Sequence, residues 1–431
     1  MLRYTCKTFH RQEWPVMKQY RTLFGNRNFM LLWIGTAISN VGDFFNSIAL
    51  VKVLSEDPAH LGLWMSLIMI VKVLPGVLLG PVAGVVADRF SRKTIMIVAD
   101  LLRAVLVAGL VFATQPSVII LLVALAATVS TFSGPAYSAL LPSLVKPEEL
   151  VTANSLSVIT GRMAMLIGNG LGAVVMLFVG AHNVFLIDSA SYLVSAAFRL
   201  ALVLPAAAAV VKSAAQQTGV MRRFTTDLME AFSFIRQTPT IRHLMTTIAI
   251  AAIPDSAISV LMTTFFTVEL GLAAEGLGLV WALMGGAAVV GALGIGALGN
   301  KVHWKYLLSA GISYIWACAM AALLVRGVIS SSIFVGLIGL GSGVVNVAFQ
   351  AAIGLLVPDA VRGRVFGAWN TLNNLIYVAG VLLAGWLSDR IGPSITMMGF
   401  VTFYLVAGLQ VWFAFRHEGK APQVPAAVAG D

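Results

Sequence analysis

Long apolar stretches, separated by short polar breaks, recur along almost the whole sequence and leave a folding chain few choices. They run at about 29–54, 61–86, 94–114, 118–141, 151–179 and 183–204, then at 243–268, 277–298, 306–325, 331–357, 365–387 and 393–415. A helix needs ~20 apolar residues to cross the ~30 Å hydrocarbon layer of a bilayer, and each stretch is long enough. With 59% of 431 residues apolar and 11% charged, water could not dissolve a fold that hid so much oil. Outer-membrane barrels are excluded, because their segments alternate over about ten residues. The expectation is an all-α membrane protein of twelve transmembrane helices. The first stretch is too long for the apolar part of a cleavable signal and is expected to remain as the first span.

The net charge of +10 would suggest nucleic acid in a soluble chain, but here it reads as orientation. If both termini are cytoplasmic, 22 of the 28 Lys and Arg residues fall in cytoplasmic segments. Lys52, Arg326 and Arg390 fall outside, and Lys72, Arg103 and Arg162 lie within spans. That asymmetry predicts a multi-pass protein of the cell membrane with both ends inside. Cys6 and Cys318 form neither a disulfide framework nor a metal cluster, and no phosphate-binding loop of an ATP-driven pump is present. His10, His60, His182, His243, His303 and His417 lie in loops, tails or span ends without paired ligand spacing, so catalysis, metal and cofactor are not expected.

Sliding the sequence by 212 residues places Gly84–Lys93 on Gly296–Lys305, and an offset of 216 places Leu140–Asn154 on Leu356–Asn370. The chain therefore reads as two pseudo-symmetric six-helix bundles, 29–204 and 243–416. They are flanked by an N-terminal arm at 1–28 and a tail at 417–431, both cytoplasmic. A cytoplasmic linker at 205–242 joins them, and its mildly amphipathic 220–235 segment suits an interfacial helix.

Between the second and third stretches Gly84, Asp88, Arg89, Arg92 and Lys93 match the pattern G-x-x-x-D-[RK]-x-G-[RK]-[RK], with Ser91 in place of its second glycine. Together with Asp100–Arg103, Gly134–Tyr137, Ala153–Ser155 and Ile187–Asp188, they make residues 28–415 resemble the major facilitator superfamily, in particular its macrolide-efflux and siderophore-exporter branch. The resemblance implies that Gly84, Asp88, Arg89, Arg92 and Lys93 form a conformational latch on the cytoplasmic side. It also implies that spans one and seven line a central cavity. Gly168-Asn-Gly-Leu-Gly172 keeps part of an export-associated motif, but Asn169 stands where exporters often carry proline, and its glycines also suit simple helix packing.

Ionisable groups at mid-depth cost at least ~2.5–3.5 kcal/mol on insertion scales, so each needs a partner, a watery cavity or a function. Asp43 and Lys72 share a depth and could pair if their helix faces meet, while Asp255 lies one 212-residue repeat beyond Asp43. These two carboxylates are the expected proton-coupling groups, with Lys72 and Arg162 as charge partners in the cavity. Arg162 is assigned either to a substrate anion or to Asp255 or Asp188. Asp100 and Arg103, three apart on one helix, are expected to pair with each other. Tyr137, Asn346, Gln350, Asn370, Asn373, Asn374 and Tyr377 are candidates for lining a substrate cavity, with hydrogen bonds between helices as the plainer role.

These readings together describe a secondary transporter working by alternating access, in which proton entry drives export of an amphipathic small molecule such as a drug, a macrolide-like antibiotic or a siderophore. Its partners would be substrate, protons and lipid, and the chain is expected to act as a monomer. A proton-coupled importer, or a receptor or lipid-handling scaffold that transports nothing, are the alternatives.

Overall fold

The computed structural model describes residues 22–203, 229–230, 232–298 and 302–415, and among them the regular structure is entirely helical. The helices are α1 Arg27–Leu54, α2 Leu61–Arg89, α3 Arg92–Gly109 and α4 Pro116–Leu144. Next comes a run from Leu150 to Leu200, followed by α7 Pro239–Thr264, α8 Ala274–Leu298, α9 Trp304–Val325, α10 Val328–Leu356, α11 Asp359–Ile391 and α12 Pro393–Phe415. The N-terminal arm up to residue 21, most of the linker and the tail after 415 lie outside the described residues.

Eleven helical stretches are long and apolar enough to span a bilayer. The 51-residue run at Leu150–Leu200 is not one span, because about 77 Å of helix would exceed the ~30 Å hydrocarbon layer more than twofold. It breaks at Gly180, whose φ of 77° and ψ of 162° belong to a region that essentially only glycine enters. We label the two limbs α5 (150–179) and α6 (181–200); with this division the stretches match the twelve expected spans. Starts are set by local chemistry. Prolines open α4, α7 and α12, where their missing N–H is no loss.

By packing, the chain falls into two units: Met1–Asn46, Leu78–Gly168 and His182–Ser213 form one, and Ser47–Val77, Asn169–Ala181 and Ala214–Asp431 the other. Connectivity alone would divide it between α6 and α7, whereas packing gives the far halves of α1, α2 and α5 to the second unit. In the first unit, Leu23, Phe29, Leu32, Met96, Leu140 and Leu141 make a core joining α1, α3 and α4. Gly168 on α5 lies against Phe44 and the Val41 carbonyl of α1, where a Cβ would come within 2.6 Å of Phe44, so this glycine of the partial export motif serves close helix packing.

In the second unit, α8 and α10 approach on glycines. Gly291 faces the Leu340 carbonyl, while Gly339 and Gly343 face those of Met284 and Ala288, and no Cβ would fit at any of the three. Asp389 of α11 accepts from the backbone N–H groups of Gly62 and Leu63 at 2.9 and 2.8 Å, capping the start of α2. One turn along, Ser66 donates to the Val381 carbonyl at 2.8 Å.

Candidate proton-coupling and substrate site

The first unit gathers its buried charges on the seam of α1, α3 and α6. Asp43 accepts a hydrogen bond from Arg103 at 2.7 Å and another from the hydroxyl of Tyr192. The Arg103 guanidinium also stacks over the Tyr192 ring, 4.1 Å from its centre. Asp188 is fully buried against Gly42, and it accepts from Asn46 at 2.8 Å and from Ser191 at 3.3 Å. Asp43 stays 41% exposed and Arg103 only 14%, so the cluster is open on the Asp43 side and closed on the other.

A second rung lies nearer the C-terminal end of α6. There Asp100 is ion-paired with Arg199, with side chains 1% and 5% exposed. Arg199 also donates to the Met96 carbonyl at 3.2 Å and to Thr36 at 3.5 Å.

These partners correct one expectation. Asp100 and Arg103 do not pair along α3: although three residues apart, one turns to α6 and the other to α1. Arg103 is a cation bonded to Asp43, and Lys72 donates to Ser47 at 3.0 Å. Depth in the membrane fixes the level of a residue but not the rotation of its helix, and rotation chooses the partner.

In the second unit Asp255 accepts from the hydroxyl of Tyr404 and is otherwise exposed. Its carboxylate is therefore tied to a neighbouring helix. Asp255 lies 212 residues after Asp43, and Tyr404 lies 212 after Tyr192, so one Asp–Tyr bond occurs twice. At the same offset Arg103, Asp188, Asn46, Asp100 and Arg199 fall on Ile315, Phe400, Ile258, Ile312 and Val411. The second copy keeps the bond and replaces the rest of the network with oil. Both tyrosines escaped the sequence reading, although the repeat that flagged Asp255 pairs them too.

The remaining expected site residues divide cleanly. Tyr137 bonds Ser157 at 2.7 Å, joining α4 to α5 in the structural role. Asn346, Gln350 and Asn370 are exposed, Asn373, Asn374 and Tyr377 are half-buried, and the Tyr377 hydroxyl faces Ser259 of α7. Arg162 is exposed on α5 and has no carboxylate partner among the described residues; Asp188, one expected mate, is held by Asn46 and Ser191.

In the α2–α3 loop, Ser91 is the N-cap of α3 and accepts from the Thr94 N–H at 3.4 Å, a bond that the glycine usual at this position could not accept. Arg92 donates to the Ala139 carbonyl at 2.8 Å, and Lys93 donates to those of Leu200 and Leu202 at 2.8 and 2.7 Å. Both basic residues thus bind carbonyls near the C-terminal ends of α4 and α6, where the helix dipole favours cations. Gly84 is half-buried, and Asp88 and Arg89 are exposed.

The family profile of the Major Facilitator Superfamily matches residues 32–380 and 315–430. The chain belongs to this superfamily. Among relatives of this facilitator, the MFS-type transporter YfiS of Bacillus subtilis is 27% identical over 401 residues, covering 90% of this chain and 94% of that protein. The multidrug efflux pump Tap of Mycobacterium tuberculosis is 25% identical, covering 91% and 95%. Macrolide efflux protein A of Streptococcus pyogenes is 24% identical, covering 84% and 90%. Of solved structures, a bacterial homologue of the lysosomal transporter Spinster in an inward-facing conformation matches with a TM-score of 0.71 at 14% identity, covering 93% of this chain and 99% of that one. The nucleoside transporter NupG matches with 0.65 at 16%, covering 90% and 99%. At such identities these two likenesses speak for the fold alone.

Proposed function

We propose that this facilitator is a proton-coupled exporter of amphipathic small molecules, working by alternating access in the cell membrane with both termini in the cytoplasm. The observation that carries the reading is the repeated Asp–Tyr bond, Asp43–Tyr192 in one unit and Asp255–Tyr404 in the other. A carboxylate held inside a membrane protein needs a use, and a reversible proton is the use that a pair of repeated, partly open carboxylates supplies. Asp43 and Asp255 are the coupling groups. Arg162 and the amides Asn346, Gln350, Asn370, Asn373 and Asn374, with Tyr377, are assigned to the substrate, and Lys72 to the charge balance around it. Asp88 is the carboxylate of the cytoplasmic latch, with Gly84 giving it room and Arg89, Arg92 and Lys93 around it. The naming of relatives as multidrug and macrolide efflux pumps supports the outward direction.

The test is flux of ethidium, a lipophilic cation, in proteoliposomes with an imposed pH gradient. Export reads as ethidium moving against an inward proton gradient, and the Asp43→Asn and Asp255→Asn variants should lose it. Ethidium moving inward with protons would mean an importer. Indifference of every tested compound to the gradient would remove proton coupling altogether.

A further inference from the structure

On the upper rung of the α1–α3–α6 seam Asp43 and Asp188 are two acids, and Arg103 is the cation ion-paired there among the described residues, through Asp43. The lower rung has one of each, Asp100 and Arg199. Arg103 is bonded to Asp43, so the fully buried Asp188 receives only the neutral donors Asn46 and Ser191. The titratable or charged groups facing Asp188 are Asp43 from α1, Arg103 from α3 and Tyr192 from its own helix. An ionised carboxylate sealed among helices with only neutral donors is costly unless a cation or a proton neutralises it. In the second unit Asp255 is bonded to Tyr404, and Ile315 stands at the position equivalent to Arg103.

We propose that Asp43 and Asp188 share one exchangeable proton, with Arg103 as their common counter-ion and Asp188 as the inner seat. With Arg103 bonded to Asp43 and only neutral donors on Asp188, the proposed seat of the proton is Asp188. When that proton passes from Asp188 to Asp43 on the open side, Arg103 is released from Asp43 to Asp188, which becomes the ionised partner. The cluster carries the same charge in both arrangements, so the proton moves between an open and a sealed site without stranding a charge in the membrane. Loss of that proton leaves two carboxylates on one arginine, which is the strained condition that transport would exploit. This assignment deepens the proton-coupled reading given above and rests on it for its role in transport, though not for its chemistry.

The test is infrared spectroscopy of the purified full-length protein at neutral pH, reading the carbonyl stretch of protonated carboxyl groups and its shift in heavy water. It is done in an Asp255→Asn background so that the second unit contributes nothing. One such band is expected in that parent. Asp188→Asn should abolish it, and so should Asp43→Asn, because whichever acid remains then has Arg103 to itself. Arg103→Gln should leave both acids without a cation and double the band. Survival of the band in either single variant, or no gain in Arg103→Gln, overturns the shared proton. If Asp188→Asn does not fold, Asp188→Glu should move the band without removing it, and an unmoved band overturns the assignment. The expected band pattern, together with no gradient-driven ethidium flux in the unsubstituted protein, would defeat the transport reading and leave the proton seat standing. Normal flux with an indifferent band would do the reverse.

Discussion

Tyr404 donates its hydroxyl hydrogen to Asp255 across 149 residues of sequence, the same separation that divides Tyr192 from its acceptor Asp43. Two helices that begin and end each six-helix repeat are thus tied by one bond in each copy, and the copies have diverged everywhere around it.

Removing either carboxylate tests the coupling. Asp43→Asn and Asp255→Asn should each lower gradient-driven ethidium flux by about tenfold or more, with the helical content unchanged by circular dichroism. Flux at the parental rate in both variants would end the coupling role of this pair. Tyr404→Phe keeps the acid and removes only the bond, and should lower thermal stability by about 1–2 kcal/mol.

The Asp100–Arg199 pair is a structural tie, and its energetics follow from burial. Arg199→Leu strands the Asp100 carboxylate and should destabilise the protein by on the order of 3–5 kcal/mol, whereas the double change Asp100→Leu with Arg199→Leu should recover most of that loss. Thermal unfolding in detergent distinguishes them. Equal losses in the single and double variants would mean that the pair is not the source of the effect.

Asp389 caps α2 from α11 with both carboxylate oxygens. Asp389→Ala leaves the N–H groups of Gly62 and Leu63 without that acceptor and should reduce stability by about 1–2 kcal/mol. Asp389→Asn keeps one acceptor oxygen and should lose about half as much. A larger loss in the asparagine variant than in the alanine variant would contradict the capping account.

Outside the spans, Asp57 is held below its ordinary value of 3.8, first by the indole N–H of Trp64 and then by His60. Its folded value is depressed, so its contribution to stability is present above about 3.8 and disappears as the pH falls through the lower, folded value. Trp64→Phe should move the Asp57 titration back up toward 3.8, read by carboxyl resonances of isotope-labelled aspartate. No movement would assign the effect to His60 instead.

The number, length and repetition of the helices could be read from sequence, because the thickness of the bilayer imposes them on any chain that crosses it, one span at a time. The resemblance carried by Gly84, Asp88, Arg92 and Lys93 likewise led to the superfamily. The break expected between 151–179 and 183–204 falls at Gly180, where a single glycine with positive φ divides a run that hydrogen bonding leaves continuous.

What each charge does was settled only by folding. Sequence named Asp43, Lys72, Asp100 and Arg103 and their depths, but a residue's level says nothing of the direction its helix turns it. Packing rotated Arg103 toward Asp43, gave Asp100 to Arg199 from about a hundred residues away, and bound Arg92 and Lys93 to carbonyls of distant helices. Hydrophobicity is a sum over residues and survives unfolding on paper, whereas a hydrogen bond between helices depends on their rotation and register, which come into being only when all of them pack.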